Sequence, residues 1–570
     1  MEVNAAGNNV IEIKTQIDPA AIDAYSKQQT RVYEQTKNKE KQDIQIKNEL
    51  EPENNQVQDI TEKSGIQFEL KGVEFIGNTI ISSEFLNKYF ESLIGKVVGF
   101  NEILDAISNI TQNYRLMGYI TSKAYIPPQK ITDGIIKINI LEGKIGQIEI
   151  NDTKWTKTSY IKNNLVKSTG IEESKIFNVN NLKTTINNIN TAEYLKGKVT
   201  LKSGNIPETT DIILNVEDRF PFDFGTSFSN QGKEYTGIKR FGINLGDQNI
   251  TGFGDNLNNN LNFSKGLFGV STSYSIPLGS KGAKLQFDYS HSYVKIGNEL
   301  KSQKISGKSN EFNSKISIPI YRKKNLILNS DIDFDMLSSK TESPINSAYN
   351  NKYELRALRT GLDLQNEDNT GRWGSSLTVS TGLPFLGAKT LKEDYSDATS
   401  KFVKFEGNIT RIQLLPLNSY GIFRISGQYS HSHLLSSEQM QAGGMYSVRG
   451  FREGVLAGDV GYNITLEARK PVPYLPKYIS IPYRKDKVIK IPLKNRIYFS
   501  VFYDQALTRE LKQNVSYNYK NFMQSVGAGL NISLAKYLNA NIYIGVPLGK
   551  QRDDGQNSAR VHFGISSDLI

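Results

Sequence analysis

A transmembrane β-barrel, preceded by two small α+β domains and a polar N-terminal helix, is the fold class this sequence predicts. Three observations carry it. From about residue 220 onward apolar and polar residues alternate with period two, with carboxylates set between aromatics, as a wall with one lipid face and one wet face requires. Between residues 67 and 218 a β-α-α-β-β pattern of about 75 residues occurs twice in succession. Ahead of both, residues 19–36 read as one helix opened by Pro19, with an apolar stripe too thin for an ordinary core helix.

Composition narrows the function classes. A chain of 570 residues exceeds one compact core. It has no cysteine, which excludes disulfides, thiolate metal sites and cysteine nucleophiles. Hydrophobic residues make up 38% and mean hydropathy is −0.43. No window of roughly 18 apolar residues offers a membrane helix, a test that a barrel evades because only alternate residues face lipid. Tyr (29) and Phe (26) far outnumber Trp (2), which suits strands and interfacial girdles. The formal charge of +11 reads as Lys and Arg spread along the chain, without a concentrated basic block or RNA-binding motif, so nucleic acid is not expected as a partner. Met1-Glu2-Val3-Asn4 has neither a basic nor an apolar leader region, and the expectation is a mature chain without its signal peptide.

After the helix, residues 37–65 are rich in Lys, Glu, Asn and Gln and read as a flexible linker. Order starts at Gln67-Phe68-Glu69-Leu70, a short strand. Helices are expected near 83–94 and 102–117; the second places Ile103, Ile107, Ile110 and Tyr114 on one face, with Asn101 as N-cap. Strands follow near 123–126 and 134–141. The second unit repeats the order with a strand at 145–150, helices near 158–167 and 178–190, and strands near 197–202 and 210–217. In the barrel region, Leu285, Phe287, Tyr289, His291 and Tyr293 alternate with polar neighbours, as do Ile332, Phe334 and Met336 with Asp331, Asp333 and Asp335. Roughly 350 residues accommodate about sixteen such strands.

Here a resemblance becomes specific. Gly77-Asn78-Thr79, Gly118-Tyr119, Ala124-Tyr125-Ile126-Pro127-Pro128-Gln129 and Leu141-Glu142-Gly143 closely resemble the POTRA domains of the TpsB family, the two-partner secretion transporters that export filamentous adhesins and haemolysins. Physically, Gly77 and Gly118 suit tight turns, and Pro127 and Pro128 fit only the edge or end of a strand. The second unit matches by pattern more than by motif. Val448-Arg449-Gly450-Phe451 resembles the VRGF/Y signature of barrels that move or insert proteins, and its wall counterpart F-x-D-x-G is present as Phe502-Tyr503-Asp504-Gln505-Ala506, with Ala506 where the family carries glycine. The resemblance implies an N-terminal plug helix over 1–36, a linker over 37–66, POTRA domains at 67–143 and 144–218, and a sixteen-strand barrel over 219–570 with an inward-folded loop at about 436–460.

It further implies that Arg449 lies against the lumen wall. Parity supports the match: if Ile497, Phe499, Val501 and Tyr503 face lipid, Phe502 and Asp504 face the lumen. The expected latch is an Arg449–Asp504 ion pair; the plain alternative is a strand-to-loop contact without a gating role. The plug helix is likewise weighed against a solvated arm.

Enzymatic readings find little. His291, His431, His433 and His562 all fall in strand-like stretches; His431 and His433 share a face, but no third ligand comes at a metal-binding spacing, and an interfacial position is expected. The Gly545–Lys550 stretch is one residue short of a phosphate loop and precedes no helix. No G-x-S-x-G occurs. No catalytic residue, metal or cofactor is expected. The function implied is export of a large secreted TpsA-type exoprotein across the outer membrane by a monomer in contact with outer-membrane lipid. The rivals are an assembly factor, which commonly carries more POTRA units, and a passive porin, which explains neither the repeats nor the loop. Ile570 stands where many bacterial barrels end in an aromatic residue.

Overall fold

The computed structural model describes residues 16–42 and 67–568, apart from 193, 280, 324, 391–397, 399, 485–486, 512–519, 535–537 and 550–557. Residues 1–15 and most of the expected linker, 43–66, lie outside the described residues. The N-terminal helix α1 runs Pro19–Gln42, six residues beyond the expected end at 36.

In the first small domain, β1 (Gln67–Glu69), β2 (Gly72–Ile76), α2 (Ser83–Asn87), β3 (Val97–Gly99), α3 (Phe100–Leu116), β4 (Lys123–Tyr125) and β5 (Ile135–Leu141) follow in order. The main sheet is β2-β5-β4, with β2 parallel to β5. Three expectations change here. The sheet strand is β2, while β1 pairs with the unanticipated β3 in a ribbon of its own. The helix expected over 83–94 ends at Asn87, because i→i+3 bonds from Lys88, Tyr89 and Phe90 tighten the chain into turns that drive Phe90 into the core. The N-cap of α3 is Gly99 rather than Asn101: β3 delivers extended chain straight into the helix, and Glu102 accepts from the Gly99 N–H at 2.8 Å. Ile103, Ile107, Ile110 and Tyr114 pack on Ile136, Ile138 and Ile140, joining the period of the helix to that of the strand.

The second domain has β6 (Lys144–Asn151), α4 (Thr158–Tyr160), α5 (Val179–Thr191), β7 (Leu195–Ser203) and β8 (Thr209–Asp218), with sheet order β6-β8-β7. Only three residues of the expected helix at 158–167 are α; Ile161–Val166 widens to π and Lys167–Thr169 tightens to 3₁₀ before Gly170.

The barrel runs β9 (Phe222–Ser229), β10 (Arg240–Asp247), β11 (Asn256–Ser264), β12 (Leu267–Leu278), β13 (Ala283–Lys295), β14 (Ser306–Lys323), β15 (Leu326–Glu342), β16 (Asn351–Asp368), β17 (Gly371–Gly382), β19 (Val403–Leu415), β20 (Ser419–Ser430), β23 (Val460–Pro471), β26 (Ile497–Arg509), β27 (Lys520–Ser533), β28 (Asn539–Pro547) and β29 (Arg560–Asp568). Among the described residues these sixteen antiparallel strands close by pairing β29 with β9, and the two-residue β18 (Lys389–Thr390) adds to β16. Period two holds around the wall: Phe287, Phe312, Ile332, Phe405 and Phe499 are exposed outward, while Ser290, Asp335, Lys404, Arg424 and Ser500 are buried inward. Two hairpins lie off the wall, β21 (Met440–Ala442) with β22 (Leu456–Gly458) and β24 (Tyr478–Arg484) with β25 (Lys487–Pro492). The second domain meets the barrel where Thr156 Oγ1 accepts from Asn249 Nδ2 at 2.9 Å and Lys157 N–H donates to Gly252 O at 3.0 Å.

Candidate functional site

The loop joining β20 to β23, residues 431–459, folds back against the wall. Its turn carries Val448, Arg449, Gly450 and Phe451. Val448 and Phe451 are buried with Ala442, Leu456, Ala506 and Met523, so Ala506 is itself part of the seat for the loop. The Gly450 backbone has φ +131°, and a methyl group there would press on the Ser525 Cβ at 3.1 Å. Opposite it, Gly545 on β28 lacks the side chain that would strike the Arg449 carbonyl. Gly545–Pro547, the start of the stretch set against a phosphate loop, is thus wall with a notch cut for the loop.

Arg449 and Asp504 are brought together. Arg449 Nε donates to Asp504 Oδ2 at 2.8 Å, Nη2 to Oδ1 at 2.9 Å, and the Arg449 backbone N–H to Oδ2 at 3.0 Å. Glu467, absent from the sequence reading, accepts from Nη1 at 2.6 Å and from Arg469 Nε at 2.7 Å. Its signal was available in strand parity, since Glu467 on β23 pairs in register with Phe502 on β26. The guanidinium lies 3.6 Å from the Phe502 ring centroid and 4.7 Å from that of Tyr543. Burial alone would lower the Arg449 pKa, but Asp504 and Glu467 outweigh it and raise it, so the charge is fixed in place.

Two further anchors went unread. Glu438, at the loop's start, accepts from Arg359 Nη2 at 2.7 Å and lies 2.8 Å from Lys404 Nζ. Burial pushes its carboxyl up, yet the Arg359 guanidinium and the Lys404 ammonium reverse that and hold it down at about 2. At the loop's end Asp459 accepts from Leu434 N–H at 2.9 Å and Leu511 N–H at 2.6 Å, and shares a 2.8 Å hydrogen bond with His433 Nδ1. His433 therefore lies in the loop, buried on Asp459, rather than in a strand at the membrane interface. Among the described residues no cluster of His, Asp and Glu could hold a metal.

Helix α1 lies inside the barrel and completes the site. Asp18, just before it, accepts from Ser339 Oγ and Tyr353 Oη, both at 2.7 Å, and from Ser436 of the loop. Lys27 Nζ donates to Glu311 Oε2 at 2.7 Å, and Arg240 Nη1 to Ser26 Oγ at 2.8 Å. Toward the loop, Tyr25 Oη donates to Gly443 O at 2.5 Å and Glu453 Oε2 at 2.8 Å. Gln29 also donates to Glu453, at 2.5 Å, and Gln441 Nε2 to Ala21 O at 2.9 Å. Helix and loop form one hydrogen-bonded body.

The sequence-predicted POTRA residues lie far from this body and serve local geometry. Gly77 has φ +88°, with Ile140 O only 2.6 Å from where a Cβ would stand. Asn78 Nδ2 closes the turn on Ile81 O at 2.8 Å. Glu142 accepts from the N–H groups of Thr79 and Ile80, both at 2.8 Å, and from Tyr114 Oη at 2.9 Å. Gly118 O receives Val179 N–H at 2.9 Å, hinging one domain to the next, and Tyr119 packs edge-on to Tyr114. Pro127 and Pro128 follow the end of β4, and Gln129 takes over its pairing: its Nε2 donates to Lys137 O at 2.6 Å and its Oε1 accepts from Lys137 N–H at 2.9 Å.

Comparison with known proteins gives the following. Residues 208–479 match the family of the haemolysin secretion/activation protein ShlB/FhaC/HecB, and residues 68–143 match the ShlB-type POTRA domain. The heme/hemopexin transporter protein HuxB of Haemophilus influenzae is 24% identical over 523 residues, covering 88% of this chain and 86% of its own. The outer membrane transporter CdiB of Dickeya dadantii is 23% identical over 78% of this chain and 79% of its own. Among solved structures, CdiB from Escherichia coli superposes with TM-score 0.70 at 16% identity over 96% of this chain and 99% of that one. BamA from Haemophilus ducreyi, lacking POTRA domains 1–3, does so with TM-score 0.55 at 16% identity over 88% and 100%. These superpositions establish the shared fold. The family and the relatives are named for secretion and transport, not for an enzymatic activity.

Proposed function

We propose, for a chain that belongs to the ShlB/FhaC/HecB family of TpsB-type outer-membrane transporters, that export begins with displacement of the helix–loop body from the lumen. The protein is a two-partner secretion transporter of the Gram-negative outer membrane, with its POTRA domains in the periplasm and a secreted TpsA-type exoprotein as its partner. The finer reading is that the export domain of an adhesin, haemolysin or contact-dependent toxin docks on a POTRA sheet edge. The chain then passes unfolded through the barrel. The edge of β2 suits that role, since its other neighbour is β5 and the exposed side chains of Ile76 and Phe85 flank it.

One observation carries the reading: beside small apolar contacts at Ile17, Ala20, Ile22, Val448 and Phe451, helix α1 and the loop are joined to each other and to the wall by many polar bonds, and such bonds exchange for water at low net cost. With Arg449 on Asp504 and Glu467, the loop would act as a latch and α1 as a plug. The chain has no cysteine, so a cysteine pair replacing Gln29 and Glu453 tests this directly. Cross-linked protein should assemble but not secrete, and reduction should restore export; export through the cross-linked form would end the displacement reading. Deleting the protein in its host should remove one large secreted protein. A broad fall in other outer-membrane barrels would instead mark an assembly factor.

A further inference from the structure

The connection between β23 and β26 does not resemble the other turns at its end of the barrel. We infer that residues 470–480 and 490–496 bind the anionic phospholipid headgroups of the periplasmic leaflet. The inference rests on the outer-membrane location and is independent of how the partner is exported.

Location comes first. Strand β9 leaves the second domain, and strand directions alternate, so β23 ends and β26 begins at the periplasmic rim, the rim where Asn249 meets Thr156. Connections there are otherwise short, as at 369–370, 416–418 and 279–282. This one projects the β24-β25 hairpin, rooted by Val472 N–H on Ile497 O at 2.9 Å.

Charge comes second. In sequence, residues 470–496 hold eight Lys and Arg against one acidic residue, Asp486, a net +7 of the chain's formal +11. The even spread of basic residues expected from the sequence therefore fails at this place.

The third observation selects lipid over an acidic polypeptide. Tyr474 is fully exposed, and Tyr478 and Ile479 are nearly half exposed, with Lys490 Nζ 5.0 Å above the Tyr478 ring. On the neighbouring connection Leu417 is 76% exposed, and Tyr420 meets Tyr498 edge-on at 5.2 Å at the strand roots. Aromatic and aliphatic groups standing open beside lysines are costly in water and at home at headgroup depth, where rings sit among the ester groups and ammonium groups meet phosphate. An acidic peptide would satisfy the lysines but leave this rim uncovered.

The test uses the full chain with Ser480→Cys as its one cysteine, carrying an environment-sensitive fluorophore, in vesicles of phosphatidylcholine with or without phosphatidylglycerol. Phosphatidylglycerol should shift the emission to the blue, and about 0.5 M salt should reverse it. A second protein adds Lys477→Gln, Lys490→Gln, Lys494→Gln and Arg496→Gln. Its half-response should need about tenfold more phosphatidylglycerol, with barrel folding checked in both by heat-modifiable gel migration. Equal emission in the two lipids would overturn the proposal. So would a response only to an added acidic peptide such as polyglutamate, which would make the hairpin a polypeptide site.

Discussion

The first POTRA domain and the barrel interior bury their residues with different proportions of apolar packing and polar bonding. In the POTRA domain, Ile103, Ile110, Ile136 and Ile138 pack with Tyr114 into an apolar core whose stability comes from excluding water. In the lumen the apolar contacts are smaller, at Ile17, Ala20, Ile22, Val448 and Phe451, and Asp18, Tyr25, Gln29, Gln441 and Glu453 add directional bonds to the helix and the loop that water can replace. A core of the first kind opens only by unfolding. A body of the second kind can leave its seat intact and be hydrated on the way out, which is what a gate in a wet pore requires.

Breaking the comparison starts where the lumen is least exchangeable. Arg449→Ala leaves Asp504 and Glu467 buried without their shared cation and should cost the seated loop about 3–5 kcal/mol. Raised protease sensitivity of the loop in a barrel that still migrates as folded would show it. Asp504→Arg should disturb loop position more than barrel assembly, and unimpaired secretion by that variant would sink the latch. Ile110→Ala should destabilise the POTRA domain by about 2–5 kcal/mol, lowering its melting temperature while the conductance of the resting barrel stays unchanged. Tyr25→Phe removes the bonds to Gly443 and Glu453 and should weaken the seating of α1 by about 1–3 kcal/mol; if α1 acts as a plug, open-channel events in planar bilayers become more frequent.

The smallest effect is a pH dependence. Lys233 is fully buried beside the Tyr25 ring and donates to Gln441 Oε1 at 2.7 Å. Burial pushes its pKa down to about 7, with Arg240 adding to the effect and Asp18 and Glu453 opposing it. With the helix gone, the ammonium would keep its proton up to the ordinary lysine range. Between those values the released state binds more protons, so seating strengthens as pH rises above about 7 and is flat below it. Channel openings should therefore be rarer at pH 9 than at pH 6, and Lys233→Met should remove the difference.

Legibility in the sequence followed the range of the interaction. Alternation along single strands was readable, and parity alone set Phe502 and Asp504 on the inward face opposite Val501 and Tyr503. The pairing of Arg449 with Asp504 came from the resemblance. Glu438, Glu453 and Asp18 were not readable, because their partners stand on strands and segments far away in the chain and no local pattern points to them. The end of α2 was missed because Phe90 is drawn into the core by tertiary packing against helix propensity. The basic hairpin was missed because a whole-chain charge averages over a cluster of 27 residues.

Gln129 has a consequence for what the periplasmic domains do not do. A three-stranded sheet with two open edges is a template on which copies can stack without end. Here the β4 side is three residues long, runs into two imino acids without N–H groups, and then meets a glutamine side chain already bonded to Lys137. A strand can join at β2, but the far side offers little for the next molecule to continue from. If a guest strand docks at β2, its addition would therefore end there, and such a domain would not seed a fibre.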